Sequence, residues 1–270
     1  VLIDRSVDCL IAVFGAAYAN ACYTVIDIES PAERNKKILS IFAPQQVITD
    51  SRNFSMAQEI CGSKVLIMEE LLETEADCQY LSDISRRMID TDPFFVIFTS
   101  GSTGVPKGTV LCQRSLLAYI EAACDAFGID SNVVWGNQAP FYYIMSALDV
   151  YSTVVAGATL YIIPKQYFSF PGLLIDYINA NKINSVYLVP SVLTIIAATD
   201  TFSEYLPRYL ERVLFSGEVM PVRQLNYWIR HLPGCLYANL YGATEITDSC
   251  TYYIVNRHFE NHESLPIGIP

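Results

Sequence analysis

Short runs of apolar, mostly β-branched or aromatic residues recur down this chain, and most are separated by stretches long enough for a helix. They fall at Tyr23 to Ile26, Val47 to Ile48, Val65 to Met68, Phe94 to Phe98, Thr159 to Ile163, Ser185 to Val189, Arg212 to Phe215 and Leu236 to Leu240. Parallel strands cannot be joined by a tight turn and need a crossover of a dozen or more residues, so this spacing predicts an α/β fold with mostly parallel, layered sheets. Residues 6 to 20 follow a helical pattern, and Ser30-Pro31 with Glu33 carries the signs of a helix start. No repeat of fixed period and no low-complexity tract is present, which removes solenoids and propellers.

Composition narrows the function classes. Of the 270 residues 52% are hydrophobic and only 17% charged, so a sizeable core forms and disorder is excluded. Lys and Arg number 17 against 28 acidic residues, a formal charge of −11, which excludes a nucleic-acid-coating or anionic-membrane surface. Among the 8 cysteines no two lie within four positions of each other, so no CxxC pair exists for zinc or redox exchange. Free thiols in a reducing cytoplasm are expected. The longest apolar stretch, Val7 to Ile26, is broken by Asp8, Gly15, Asn20 and Thr24 and reads as a buried helix plus strand rather than a membrane span. The charged, proline-terminated stretch 82 to 93 predicts an exposed crossing between a first lobe, residues 1–88, and a second, residues 89–270.

Two segments carry chemistry. TSGSTGVPKG, Thr99 to Gly108, follows directly on the apolar strand Phe94 to Phe98. Glycines 101 and 104 let backbone amides converge on an anion, the hydroxyls of Thr99, Ser100, Ser102 and Thr103 add donors, and Lys107 adds charge. That combination suits a phosphate. It is not a Walker loop, since Lys107 is followed by Gly108 rather than Ser or Thr, and no serine sits in GxSxG. The second segment, NLYGATE from Asn239 to Glu245, reads by itself as a strand end, a glycine turn and a helix cap.

Taken as whole strings, both segments resemble the signatures of the acyl-adenylate-forming family, which includes peptide-synthetase adenylation domains, acyl-CoA synthetases and luciferases. NLYGATE is similar to the second signature, with Ala243 where proline is usual. ACYTVIDIESPAER, residues 21 to 34, resembles a third family segment in which Val25 and Ile28 replace prolines, and SGEVMP from Ser216 resembles a Gly-Glu turn beside the nucleotide. LFSGEVMP and LDVY (148–151) look most like the D-alanine:carrier-protein ligase branch and its peptide-synthetase cousins.

The resemblance implies a layered αβαβα large N-terminal core, lacking both ends of the family domain and the small C-terminal lid. It implies ATP and Mg2+ as cofactors, with Thr99, Lys107, Thr244 and Glu245 as the catalytic set. Ser100, Gly101, Ser102, Thr103, Gly104, Gly217, Glu218 and Gly242 would surround the nucleotide. Tyr241 would stack on adenine, Asn239 would lie at its polar edge and Glu245 would hold the metal, which fits a hard cation's need for carboxylate oxygen. The implied reaction activates a carboxylic or amino acid as acyl-AMP and passes it to a phosphopantetheine thiol on a carrier protein, with no nucleic-acid or membrane partner. The histidines, His231, His258 and His262, lie outside both signatures and read as surface or cap residues.

Substrate choice is implied by the pocket-lining positions Ile144, Met145, Leu148, Tyr187, Leu214, Ser216, Leu240, Asp248 and Ser249. Ile144 occupies the place where amino-acid-activating members carry an aspartate for the α-ammonium group. Either the acid bound has no α-amine or another carboxylate does the pairing, and Asp248 is the candidate. An acyl-CoA or aryl-acid ligase and a truncated, non-catalytic nucleotide-binding remnant are the alternative readings. The ribose aspartate, hinge and C-terminal lysine of the family fall after Pro270, so the 270 residues alone are expected to form adenylate slowly or not at all.

Overall fold

A computed structural model describes residues 1–62, 64–101 and 104–269. By contact density the chain divides into two compact units, the first comprising Val1–Leu116 with Pro140–Ile144 and the second Leu117–Ala139 with Met145–Pro270. No helix among the described residues is long and apolar enough to cross a membrane. All 8 cysteines are free thiols.

The first unit opens with α1 (Val7–Tyr18), capped by Ser6, whose hydroxyl accepts from the amide of Cys9 at 3.3 Å. Helix α2 (Ala32–Phe42) starts after Pro31 and ends where Ala43 turns left-handed at φ 47°. Strand β1 (Val47–Thr49), helix α3 (Phe54–Cys61) and strand β2 (Val65–Ile67) form a right-sized crossover unit with the two strands parallel. Helices α4 (Met68–Leu72) and α5 (Cys78–Ser85) follow. Strands β3 (Pro93–Ser100) and β4 (Pro106–Cys112) pair antiparallel, a hairpin where the turn-rich reading of residues 99 to 108 foresaw no second strand. Leu2, Ile26, Ile38, Leu39, Val47, Ala57, Val96 and Phe98 make one core. The expected strand at Tyr23 to Ile26 is reduced to a single bridge, Tyr23 to Phe95.

That core explains why the first unit runs on past residue 88, where a lobe boundary was expected. Val96 and Phe98 point from β3 into the same cluster as Leu2 and Ile38, so the hairpin packs with the chain before it. The charged stretch 82 to 93 is surface: it ends α5 and turns, and Asp90 is held in a fork by Arg114 at 2.8 Å from both Nε and Nη2. The division falls instead within helix α6 (Gln113–Phe127).

The second unit is built on one six-stranded sheet. Strand β5 (Val134–Asn137), helix α7 (Ser146–Ala156), strand β6 (Thr159–Ile162) and helix α8 (Pro171–Ala180) come first. Strand β7 (Ser185–Leu188), helix α9 (Pro190–Ala198), strand β8 (Arg212–Phe215) and helix α10 (Val222–His231) continue it, before β9 (Leu236–Tyr241) and β10 (Thr251–Ile254). The order is β10-β9-β8-β7-β5-β6, with every neighbouring pair parallel except β10 on β9. Helices cross between successive parallel strands, and all four residues of β7 are buried, as expected of a strand covered on both faces. Ile163, Leu174, Val186, Leu193, Val213, Phe215, Leu225 and Trp228 anchor the core, and Trp228 Nε1 donates to Leu193 O at 3.0 Å. The mostly parallel α/β expectation holds here.

Strands β5 and β10 carry little sequence signal. In β5 the reason is Gly136: a Cβ there would come within 2.9 Å of Ile163 Cδ1 and 3.1 Å of Ile183 Cγ2, so a residue that reads as a turn sits in a closely packed strand where a larger one would displace these isoleucine side chains. Because β6 lies on one side of β5 and β7 on the other, the direction of strand addition reverses beside β5. In open α/β sheets ligands bind near such a reversal, at the carboxyl ends of the strands.

Candidate active site

Within the second unit the carboxyl ends of β7, β8 and β9 bring a polar cluster together. Tyr187 is near the end of β7, Ser216 directly follows β8, and Asp248 and Ser249 lie in the loop between β9 and β10. Asp248 Oδ2 accepts from Tyr119 Oη at 2.5 Å, from Tyr187 Oη at 3.0 Å and from Ser249 Oγ at 3.4 Å. Tyr187 Oη also lies 2.6 Å from Ser216 Oγ. Its single proton is spent on Asp248, so it accepts from Ser216 and a relay of hydroxyls runs from Ser216 to the carboxylate.

The loop is held there by backbone geometry. Thr247 and Asp248 are both left-handed, at φ 64° and 75°, an uncommon pair for residues other than glycine. Gly242 makes it possible: a Cβ at that position would stand 1.9 Å from Asp248 O and 2.6 Å from Ser249 Cα. The glycine read as a turn residue is therefore the point where β9's exit and the Asp248 loop touch.

Asp248 is only 6% exposed. Burial raises its carboxyl above the usual aspartate range, and the hydroxyls of Tyr119, Tyr187 and Ser249 pull the other way by bonding the charged form. Both tyrosines are pushed well above the usual phenol range, first by burial and next by the adjacent Asp248 charge, so both remain donors. Among the described residues no Lys, Arg or His forms an ion pair with Asp248. Leu214 and Leu240 are buried on β8 and β9, and Met145 and Leu148 are buried at the start of α7. Tyr119, on α6, is absent from the pocket positions read from the sequence; no local pattern marks it, because its partner is 129 residues away.

The residues expected around the nucleotide divide by what already engages them. Tyr241 is 53% exposed at the end of β9, and Glu245 is exposed on the short 3-10 turn Thr244–Ile246 with Thr244 half-buried, so a flat aromatic face and a solvent-facing carboxylate follow one strand. Asn239 is buried and donates through Nδ2 to Pro266 O at 2.8 Å, which leaves its Oδ1 as the remaining polar edge. Gly217 takes φ 90° in the turn after β8. Glu218 is exposed, and its Oε2 accepts from the amide of Ser191 at 2.9 Å, so it caps the start of α9. His231 Nδ1 lies 2.9 Å from Tyr227 O at the end of α10, the structural role expected of it.

The phosphate-loop residues belong to the first unit. Thr99 lies opposite Lys107 and Ser100 opposite Pro106 across the β3–β4 hairpin, with Lys107 exposed. Gly101 O accepts from Gly104 N at 2.9 Å, and Gly104 is left-handed at φ 76°. A Cβ on Gly101 would stand 2.3 Å from Val105 O, so the tip tolerates no side chain there. Ser102 and Thr103 lie outside the described residues. Ile144 is half-buried and also falls in this unit.

Comparison with known proteins agrees with this organisation. Over 274 residues the chain is 29% identical to the L-proline–L-prolyl-carrier protein ligase of Pseudomonas fluorescens, spanning 98% of this chain and 54% of that protein. It is 29% identical over 263 residues to the D-alanine–D-alanyl carrier protein ligase of Staphylococcus aureus, spanning 96% of this chain and 52% of that one. The chain thus spans about half the length of these curated relatives. Among solved structures, the nonribosomal peptide synthetase FmoA3 superposes with a TM-score of 0.87 at 20% identity, over all of this chain and 28% of that one. The Vibrio cholerae adenylation domain AlmE, in complex with glycyl-adenosine-5′-phosphate, gives 0.83 at 20% identity over 98% of this chain and 54% of that one. The profile described as AMP-binding enzyme matches residues 1–270 throughout, and the chain belongs to that family.

Proposed function

We propose that this chain is the nucleotide- and acid-binding portion of a ligase that activates an amine-bearing carboxylic acid with ATP and hands it to a carrier-protein thiol in the cytoplasm. The observation that carries the reading is the conjunction, at the end of β9 and in the one loop after it, of the exposed Tyr241 and Glu245 flanking a half-buried Thr244 with the buried carboxylate of Asp248. The carrier-protein ligases similar to this chain over nearly its whole length support the acceptor.

In this reading the substrate carboxylate attacks the α-phosphorus of ATP, the bond to the β-phosphate bridging oxygen breaks, and pyrophosphate leaves. The carrier thiol then displaces AMP from the acyl carbon. Such displacements depend on positioning and charge neutralisation more than on acid/base groups. Lys107 and the hydroxyls of Thr99 and Ser100 neutralise and orient phosphate oxygens, joined by Ser102 and Thr103. The bare backbone at Gly101 and Gly104 permits close approach of an anion. Thr244 contributes a hydroxyl to phosphate, Tyr241 a face for adenine and Asn239 Oδ1 an acceptor for its amino edge. Glu245 fits a divalent cation in donor type and exposure, and Mg2+ bound there would supply charge neutralisation of the triphosphate. Gly217 and Glu218 frame the turn after β8, with Glu218 also serving α9. Met145, Leu148, Leu214 and Leu240 supply apolar walls.

The test is acid-dependent ATP–pyrophosphate exchange on the protein that carries this chain, followed by transfer to a phosphopantetheinylated carrier or to free CoA. Exchange with an amino acid and loading of the carrier is the expected result. Exchange with CoA as the sole acceptor would give the reaction to an acyl-CoA ligase instead, and no exchange with any acid would refute the ligase reading.

A further inference from the structure

The hydroxyls that reach Asp248 all fall on one oxygen. Tyr119, Tyr187 and Ser249 bond Oδ2, and among the described residues none donates to Oδ1. The carboxylate is more than nine-tenths buried, sits in the loop between β9 and β10, and among the described residues has no cationic side chain paired with it. Neutral hydroxyls lessen the cost of its charge without cancelling it, and a buried carboxylate without a counter-charge is relieved by a cation. A hard metal ion is a poor candidate here, because it keeps several oxygen ligands, often water, and the buried Asp248 has neither open solvent nor, among the described residues, a cluster of further His, Cys, Asp or Glu ligands, whereas the exposed Glu245 can share a cation with water and phosphate. An ammonium group, with three donors and one charge, fits.

We propose that Tyr119 is a positioning residue for substrate recognition: from α6 it fixes Asp248 through Oδ2, so that Oδ1 receives the ammonium group of an amine-bearing acid. This rests on the ligase reading for the identity of the ligand as substrate. Tyr119 does so from a different element than the rest of the cluster. Tyr187 and Ser249 belong to the strand-end framework, and Tyr187 is shared with Ser216, whereas the Tyr119 bond is the shortest of the three and spans 129 residues. Without it the carboxylate keeps two longer bonds to Oδ2 and can rotate to present either oxygen.

The experiment is calorimetric titration of the full-length protein, unaltered and as Tyr119→Phe and Asp248→Asn, with acids that differ in the place of the amine. Glycine, D-alanine, L-proline, β-alanine, 4-aminobutanoate and L-lysine are compared with acetate, propanoate and hexanoate. Expected is a preference for one amine spacing in the unaltered protein, weakened roughly 10-fold by Tyr119→Phe, the size of one hydrogen bond to a charged group, with binding of the deaminated acid and of ATP unchanged. Asp248→Asn should abolish the preference and serves as the second variant if Phe at 119 impairs folding. Equal binding of amine-bearing and deaminated acids by the unaltered protein would overturn the proposal, as would a Tyr119→Phe protein that keeps the full preference or loses both classes alike. Pyrophosphate exchange on the same samples separates the two readings: amine binding without exchange refutes the ligase and leaves the Tyr119–Asp248 device standing.

Discussion

At the scale of single residues, Gly242 and Asp248 depend on each other. A methyl group at 242 would overlap backbone atoms rather than a flexible side-chain tip, so nothing nearby can yield without moving the loop. Gly242→Ala should therefore destabilise the protein by about 2–4 kcal/mol, in the range of severe single substitutions, read by denaturant unfolding; a loss within experimental error would show that the loop can shift freely. Asp248 makes the opposite prediction. Its folded-state pKa is raised, so its protonated form contributes stability that is complete below the unfolded pKa and is lost as pH rises through the folded value. Asp248→Asn cannot ionise and should gain stability relative to the unaltered protein as pH climbs from about 4 to 7, a tenfold difference in proton affinity between the folded and unfolded chain being worth about 1.4 kcal/mol. Parallel unfolding curves across that pH interval check it, and a difference that does not change with pH contradicts the assignment. Neither behaviour is visible in the string NLYGATEITDS, where Gly242 reads as a turn and Asp248 stands out only through the family resemblance.

At the scale of elements, the turn after β8 does two things. SGEVMP marks a turn beside the nucleotide by resemblance, yet Glu218 within it accepts from the Ser191 amide, the first N–H of α9 after Pro190 and one of the donors that a helix start leaves unsatisfied. Glu218→Ala should then cost about 0.5–2 kcal/mol of stability in the absence of any nucleotide, as loss of a helix cap does. Unfolding measured with and without ATP analogue separates this from a binding role, since a residue that serves only nucleotide would alter stability only when ligand is present. The elements themselves were unevenly legible. Strands β7 and β8 are short, apolar and buried, and their composition is enough to place them. Strand β5 hides behind Gly136, and β4 behind a lysine, a proline and a glycine that read as turn residues, because their places are decided by partners elsewhere in the chain.

At the scale of the molecule, the cut between the units follows the core rather than the charge pattern. A fragment of residues 1–116 retains Val96 and Phe98 with the apolar residues they pack on, while residues 1–88 leave that core open. The longer fragment should unfold cooperatively by circular dichroism and the shorter should not; equal behaviour would place the hairpin outside the first core. What this protein's sequence determined by itself is the class of fold and the clustering of hydroxyls, glycines and Lys107 at residues 99–108, because strand burial, glycine turns and clustered hydroxyls are local consequences of residue type. What only the tertiary structure decided is which groups meet: Tyr119 with Asp248 over 129 positions, Glu218 with the start of α9, and the β3–β4 hairpin with the first core. Such meetings depend on how strands are ordered in a sheet and where helices cross between them, and hydrogen-bond partners far apart in the chain leave no periodicity from which they could be read.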